Sequence, residues 1–277
     1  MTTDRRELAY QQALRYAEEL AQLVGRERHA AREVGELREK REAVEERLRA
    51  GMRIVYQPIV DLRDDAVAGL EALARFDGDP PKGPDVWFRD AAQVGLATEL
   101  ELAAINRALE PFDELPADAF LSLNISPASA MSSQFFQAIE GRDTARLVIE
   151  VTEHAQVGDY ARLADRLKSF RAGGGRLAVD DAGAGFASLH HILALGPDII
   201  KLDISLTRNI DSDGARRALA TAMISFAVEI GASMVAEGIE TEAECETLKE
   251  LGVSHGQGYF LGRPAPWVFR PDPLRLT

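Results

Sequence analysis

The sequence predicts an α/β protein, a modified (β/α)8 barrel preceded by a long N-terminal α-helix. Three observations indicate this fold. A helix-favouring segment fills the first fifty residues, short apolar runs alternate with helical stretches over residues 51–277, and acidic residues stand where several of those runs end. With 277 residues and 46% hydrophobic content, the chain is long enough to bury a substantial core.

The first element is a helix over residues 4–50, a segment that lacks Pro and is dense in Glu, Arg, Leu and Ala. Steps of three and four residues give a seam that is apolar at all but two positions: Ala13, Tyr16, Leu20, Leu23, Glu27, Ala30, Val34, Leu37, Arg41, Val44 and Leu48. This heptad pattern favours a parallel coiled-coil homodimer, with residues 1–50 as a dimerisation or signalling unit. The alternative is a single amphipathic helix that lies along its own domain.

Over residues 51–277, eight segments rich in Val, Ile and Leu are candidate strands: 53–61, 66–76, 120–126, 146–153, 176–181, 198–203, 232–238 and 253–262. Most are separated by stretches with helical periodicity, which predicts parallel strands. The first two are joined by a short turn, so the first strand must run antiparallel to the second. We therefore expect a TIM-type barrel with an antiparallel first strand.

Composition excludes several function classes. Residues 1–50 hold equal numbers of acidic and basic side chains, so the whole net charge of −13 falls on residues 51–277, and that body would repel duplex nucleic acid. No apolar run is long enough to span a bilayer, and the first residues lack the apolar stretch of a secretory signal. The single Cys245 has no disulfide partner. These features predict a cytoplasmic protein without membrane insertion.

Acidic residues recur where the predicted strands end, at Glu71, Glu150, Asp180, Asp181 and Glu237. In a barrel, these C-terminal strand ends converge on one mouth. Five carboxylates so placed would repel one another unless cations lay between them. The pattern therefore predicts a site for hard divalent metal ions, which prefer oxygen ligands.

The strand ends also carry a family signature. Residues 71–75 read EALAR, and the motif QPIVD with Gln57 lies before them. Six further motifs lie after them, in chain order: LNISP with Asn124, EVTE with Glu150 and Glu153, DDAGAGFASL with Asp180 and Asp181, KLD with Lys201, AEGIET with Glu237 and Glu240, and GQGYFLGRP with Gln257. This series resembles the EAL domain family of cyclic di-GMP phosphodiesterases, over essentially all of residues 51–277.

The resemblance implies two Mg²⁺ or Mn²⁺ ions. It assigns one ion to Glu71, Asn124, Glu150 and Asp180, and a second to Asp180 as a bridge, Asp181 and Glu237. Glu71, Asp180, Asp181, Glu237 and Lys201 would then form the catalytic group, in which Lys201 orients the attacking water or stabilises developing charge.

The resemblance further implies substrate contacts from Gln57, Leu73, Arg75 and Gln257. Arg75 lies four residues beyond Glu71, on the same strand face, and would grip a phosphate oxygen. Gln257 and Glu240 would also orient the groups around the site. Glu153 would steady the loop after the fifth strand.

The sequence departs from the family pattern near the paired aspartates. Ala182 and Ala184 replace an aromatic and a hydroxyl residue in the loop that couples dimerisation to metal and substrate binding in the family. Ala92 replaces a common Glu, and Phe76 replaces a common Trp. Loss of the aromatic and the hydroxyl at Ala182 and Ala184 predicts a more mobile loop.

The expected activity is hydrolysis of cyclic di-GMP to linear pGpG by a water that two metal ions activate, in a bacterial cytoplasm. Two alternatives stay open. One is a catalytically weak or inactive cyclic di-GMP receptor that signals through its coiled coil, and the other is an interaction scaffold. Retention of every ligand type argues against the scaffold, because clustered acids destabilise a protein that has no metal to hold.

Overall fold

A computed structural model describes residues 2–77, 82–151, 160–182 and 192–267. Eight strands close a barrel in chain order, and the predicted fold is confirmed. The strands are β1 (Arg53–Asp61), β2 (Val67–Arg75), β3 (Phe120–Ile125), β4 (Leu147–Val151), β5 (Arg176–Ala182), β6 (Ile199–Leu202), β7 (Ser233–Ala236) and β8 (His255–Gly256).

Strand β1 is antiparallel to both β2 and β8, and the remaining neighbours are parallel. The short connection between β1 and β2 produces this arrangement, because a parallel pair needs a crossover of a dozen or more residues. Strand β8 is much shorter than the predicted run over 253–262. Beyond Gly256, Gln257 still pairs with the end of β7, because its N–H donates to the carbonyl of Ala236 at 2.8 Å and its carbonyl accepts the N–H of Ile239 at 3.1 Å. A turn over residues 258–261 then follows.

The helices are α1 (Thr2–Ala50), α2 (Pro84–Gln93), α3 (Ala97–Ala108), α4 (Pro127–Ala130), α5 (Ser133–Ala138), α6 (Tyr160–Ala172), α7 (Ile204–Thr207), α8 (Gly214–Glu229) and α9 (Glu242–Glu250). The sequence patterns predicted α1, α3, α6, α8 and α9 but not α2, which begins at a proline after Gly83. No helix in the described part of the chain is both long and apolar enough to cross a bilayer.

The last three turns of α1 pack on the barrel's own helices. Val44 is fully buried in a cluster with Trp87 of α2 and Leu100 of α3. The ammonium of Lys40 lies 3.1 Å from a carboxylate oxygen of Asp90, which is itself buried on α2. Phe76, at the position where the family often has Trp, packs its ring 5.7 Å from that of Trp87. The end of α1 is therefore fixed to one side of the barrel.

The inner face of the barrel changes from apolar to polar along its strands. One buried apolar layer consists of Ile59, Phe120, Val148, Ala178, Ile199 and Val235. Because side chains on one face of a strand recur every second residue, the next inward position on these strands is polar. Those positions are occupied by Gln57, Ser122, Glu150, Asp180, Lys201 and Glu237. The sheet thus gathers polar groups into one layer toward the C-terminal ends of its parallel strands.

Candidate active site

Lys201 of β6 stands at the centre of the polar layer. Its side chain is 2% exposed, and its Nζ lies 2.7 Å from Glu150 Oε2 and 2.7 Å from Glu237 Oε1. Two further carboxylates approach the same nitrogen, with Glu71 Oε2 and Asp180 Oδ1 each at 3.5 Å. Carboxylates from four different strands therefore converge on one point. Glu150, Asp180 and Glu237 lie near or just after the ends of their strands, whereas Glu71 lies in the middle of β2 and not at its predicted end.

Amide side chains hold Glu71 from both sides. Asn124 Nδ2 donates to Glu71 Oε1 at 2.7 Å, and Gln257 Nε2 donates to Glu71 Oε2 at 2.6 Å. Gln257 Nε2 also lies 3.2 Å from Oε1 of Gln57, whose own Nε2 donates to the carbonyl of Gly262 at 3.1 Å. The register supports this group, because Gln57 lies directly opposite Glu71 on β1. Glu71 is thus fixed in position at the mouth.

Ser122 is a site residue that lies outside the sequence motifs. It is fully buried on β3, and its Oγ donates a short hydrogen bond to Glu150 Oε1. Since Lys201 binds Oε2 of the same carboxylate, both oxygens of Glu150 are engaged. The strand period could have revealed this residue, because Ser122 lies two positions before Asn124 on the same face.

Burial and mutual repulsion dominate the electrostatics of this group. Burial is the largest of the causes that raise the pKa of Glu150 to about 8. The charges of Glu71 and Asp180 add to this rise, and Lys201 opposes it. Burial likewise raises the pKa of Glu237 to about 8, against the attraction of Lys201. For Lys201, burial lowers the pKa, but the surrounding carboxylates outweigh burial and raise it well above the usual range. The ammonium therefore stays charged, and it stabilises whichever carboxylates are ionised.

The donor set fits a hard divalent cation. Its oxygens come from carboxylates and amides, and the buried Oε1 of Gln257 has no hydrogen-bond partner among the described residues. In the conformation shown, no three acidic, histidine or cysteine side chains of the described ranges are arranged to coordinate one ion. The Lys201 ammonium lies where the carboxylates converge, so an ion could enter only if that ammonium withdrew.

Other predicted residues lie around this centre. Leu73 lines two cavities, and one of these, of about 380 Å³, also contacts Gln57, Glu71, Glu237 and Gln257. Arg75 lines the other cavity, of about 370 Å³, together with residues of α2 and α3. The guanidinium of Arg75 donates to the carbonyl of Ala74 at 2.9 Å. Arg75 thus faces the cavity next to α2 and α3, which Leu73 and Asn124 also line, and its phosphate contact stays a prediction.

Three further predicted residues do not contact the carboxylate group in the described part of the structure. Glu240 lines the same cavity of about 380 Å³ as Gln57 and Glu71, but both of its carboxylate oxygens are bound by the Arg208 guanidinium at 2.5 Å. Asp181 lies in β5, but its side chain is outside the described part of the structure, and Glu153 is outside the described residues altogether. Their predicted roles remain predictions.

Known proteins share these motifs and this architecture. The sequence profile of the EAL domain matches residues 40–264. The chain is 32% identical over 233 residues to an uncharacterised signalling protein of Caulobacter vibrioides, an alignment that covers 79% of this chain and 29% of that protein. It is 27% identical over 227 residues to the probable cyclic di-GMP phosphodiesterase PdeG of Escherichia coli, covering 77% of this chain and 44% of PdeG.

Solved structures of similar architecture include ligand complexes. The EAL enzyme Bd1971, solved with cAMP and cyclic di-GMP bound, has a TM-score of 0.76 at 25% identity, with 84% of this chain and 67% of that chain covered. The PaMucR phosphodiesterase in complex with c-di-GMP has a TM-score of 0.72 at 26% identity, with 83% and 98% covered. The manganese and cyclic di-GMP complex of Klebsiella pneumoniae BlrP1 has a TM-score of 0.66 at 28% identity, with 77% and 56% covered.

The match is broad within this chain but partial in its relatives. The chain spans 44% of PdeG and 29% of the Caulobacter protein, so the comparison concerns one region of longer proteins. Within this chain, the profile match runs from the last turns of α1 to the segment after β8 and therefore includes the whole barrel. The chain belongs to the EAL domain family.

Proposed function

We propose that this protein is a metal-dependent phosphodiesterase that hydrolyses cyclic di-GMP to linear pGpG. The observation that carries the proposal is the convergence of Glu71, Glu150, Asp180 and Glu237 on one buried point. Membership of the EAL family supports the choice of substrate, because PdeG is described as a probable phosphodiesterase for this nucleotide.

In this proposal two Mg²⁺ or Mn²⁺ ions complete the site. Glu71, Asn124, Glu150 and Asp180 hold one ion, and Asp180, Asp181 and Glu237 hold the other. When bound, such a pair supplies a water of lowered pKa and neutralises charge on the phosphodiester. The manganese complex of BlrP1 supports divalent ions as the cofactor.

The chain's own groups then position the reactants. The Lys201 ammonium would donate a hydrogen bond to the attacking water or to the phosphate oxygen on which charge develops. Arg75 binds a non-bridging phosphate oxygen, while Leu73 and Gln57 contact the nucleotide. Gln257 and Asn124 keep Glu71 oriented through the hydrogen bonds described above.

A second candidate is a receptor that binds cyclic di-GMP but cleaves it slowly. The observation in its favour is the pair Ala182 and Ala184, which replaces an aromatic anchor and a hydroxyl in the loop after Asp181. A loop without these groups would order less readily around the ions and substrate. Binding without product would identify this function.

The test is a product assay on the purified full chain. Cyclic di-GMP is incubated with Mg²⁺ or Mn²⁺, with and without a chelator, and pGpG is separated by chromatography. The proposal expects pGpG to form only without the chelator. Nucleotide binding without turnover would favour the receptor, and a protein that neither binds nor cleaves cyclic di-GMP would overturn both candidates.

We also propose a homodimer joined through α1. Val34 and Leu37 belong to the heptad seam and are 66% and 43% exposed, whereas Val44 of the same seam is buried by its own barrel. The exposed part of the seam is available to a second copy, and a parallel pair would cover it. The buried part gives the helix a fixed attachment to the barrel, which supports a role in passing a signal between the two.

A further inference from the structure

The loop after β7 carries Glu237 into the carboxylate group. Its first residues are tightly constrained: Glu237 donates its N–H to the carbonyl of Leu202 at 3.1 Å, and the Thr207 hydroxyl donates to the carbonyl of Glu237. Gly238 has a φ of +68°, and a Cβ there would lie 2.2 Å from Ile204. The direction of the Glu237 side chain therefore depends on how this loop is held against the loop after β6.

Glu244 of α9 joins these two loops. It is 2% exposed, and its Oε2 accepts the backbone N–H groups of Glu240 at 2.9 Å and Thr241 at 3.1 Å. Its Oε1 accepts the N–H of Asn209 at 2.8 Å, a residue with a φ of +55° that follows α7 in the connection from β6 to α8. One buried carboxylate thus binds backbone from the connection that follows Lys201 and from the loop that follows Glu237.

The chemistry of Glu244 suits this position. Burial opposes its charge, but the three backbone donors and Arg208 outweigh burial and keep its pKa below the usual value. An ionised carboxylate accepts hydrogen bonds at both oxygens and donates none, so it can satisfy all three N–H groups. A neutral amide could not, because one of its two ends is a donor.

We propose that Glu244 is a positioning residue that holds the Glu237 loop against the Lys201 loop and so sets the place of Glu237 in the metal group. The inference rests on the proposed function, in which Glu237 binds an ion. It adds a residue that lies outside the strand-end motifs and touches neither substrate nor metal.

A purely local role has to be separated from this one. Glu244 also completes a capping box, in which its own N–H donates to Thr241 Oγ1 at 3.2 Å. Thr241→Ala removes that capping bond and leaves the three contacts of the Glu244 carboxylate in place. It is therefore the matched control for loss of a helix cap, and Glu246→Ala, at an exposed position of α9, controls for loss of charge.

The experiment measures Mn²⁺ binding to the full-length protein by calorimetry, without nucleotide, together with amide hydrogen exchange of residues 237–239. Removal of a group that orients a metal ligand typically weakens affinity about 10- to 100-fold. We expect that loss for Glu244→Ala, with faster exchange at 237–239, and affinities within about twofold of wild type for Thr241→Ala and Glu246→Ala. Glu244→Gln keeps one acceptor oxygen and should be intermediate.

Equal Mn²⁺ affinity and equal exchange in Glu244→Ala and Thr241→Ala would overturn the positioning role. If Glu244→Ala does not fold, the same comparison is made with Glu244→Gln, and wild-type affinity there has the same consequence. If the wild-type protein binds no Mn²⁺, the proposed function fails instead. Hydrogen exchange at residues 237–239 then tests the positioning role independently of metal binding, and unchanged exchange would overturn that role.

Discussion

Glu71 lies in the middle of β2 and accepts a hydrogen bond at each of its two carboxylate oxygens. Asn124 and Gln257 each bind one of its oxygens, and Lys201 lies 3.5 Å from the same oxygen that Gln257 binds. Such an arrangement holds the carboxylate in one orientation, which is what a metal ligand requires. Its importance can therefore be tested with a single substitution.

We expect Glu71→Ala to reduce pGpG formation to below about one-hundredth of wild type, because loss of a ligand should exceed the 10- to 100-fold cost typical of its outer partners. The fold should survive because Glu71 is buried in the polar layer and not in the apolar core, although two amides lose their acceptor at a cost of about 1–3 kcal/mol each. Turnover is measured by chromatography and folding by circular dichroism. Glu246→Ala is the control, and near-normal turnover in Glu71→Ala would contradict the metal assignment.

The shifted carboxyl groups predict how pH acts on metal binding. With pKa values raised to about 8, Glu150 and Glu237 bind protons at pH 7 in the metal-free fold. A cation must displace those protons, so Mn²⁺ affinity should rise from pH 6.5 to pH 8.5 by up to about tenfold per unit for each proton released. Calorimetry in buffers of different ionisation enthalpy counts the protons, and Glu150→Gln should release fewer. A flat profile would contradict this prediction.

The raised pKa values of Glu150 and Glu237 also predict how the stability of the metal-free protein changes with pH. Because the folded pKa of each group lies above its unfolded value of 4.5, each contributes stability that is fully present below that value and is lost as the pH rises through about 8. The metal-free protein should therefore lose stability as the pH rises from about 4.5 to about 8, and bound ions should offset that loss.

At the scale of elements, α1 combines two environments in one helix. Its last turns are attached to α2 by Lys40, by Val44 and by Arg47, whose guanidinium carbon lies 5.4 Å from the centre of the Trp87 ring. Arg41, which interrupts the seam, donates to the carbonyl of Val94 at 3.1 Å. At these positions the helix lies along its own domain, as the alternative to a coiled coil predicts, while Val34 and Leu37 remain exposed.

Two truncations separate these environments. Removal of residues 1–37 should weaken self-association, because it removes the exposed part of the seam, and should leave the melting temperature nearly unchanged. Removal of residues 1–50 should also lower the melting temperature by several degrees, since Trp87 and Met52 lose apolar cover worth about 1–3 kcal/mol. Light scattering and thermal unfolding measure the two effects. An unchanged mass for both truncations would argue against a dimer through α1.

At the scale of the whole molecule, closure of the barrel brings carboxylates that repel one another close together. Strand-to-strand hydrogen bonds fix Glu150 beside Asn124 and Lys201 beside Val235, so repulsion cannot be relieved by local unfolding of one strand. The apolar layer below the site anchors the barrel. Ions that bind the folded mouth should then stabilise the entire domain.

We expect Mn²⁺ at about 100 times its dissociation constant to stabilise the fold by about 2.7 kcal/mol and to raise the melting temperature by about 5–10 °C. The measurement is thermal unfolding with Mn²⁺ against chelator, and KCl of equal ionic strength is the control for screening. Glu71→Gln should lose most of the shift. An equal rise in that variant would show that the ions act elsewhere.

The periodicity of apolar residues and the order of strand and helix segments predicted much of this protein: the barrel, its antiparallel first strand and the carboxylates at its mouth. These follow from sequence because the side-chain period of a strand and the length of a connection are local quantities. Helix α2, the short β8 and the contribution of Ser122 were not predicted. Pro84 marks the start of α2 and the strand period places Ser122 inward, so both had local signals. The bond of Ser122 to Glu150, however, depends on the pairing of β3 with β4, and the length of β8 depends on its pairing with β1 and β7.

The sequence by itself determined which residues reach the mouth, because inward positions recur every second residue on strands whose ends converge. Tertiary structure alone decided how those residues balance one another: that Lys201 lies among four carboxylates, that amides clamp Glu71, and that Glu244 joins two loops. The physical reason is that burial and charge separation arise only when the barrel closes and brings strands from across the chain within a few ångströms.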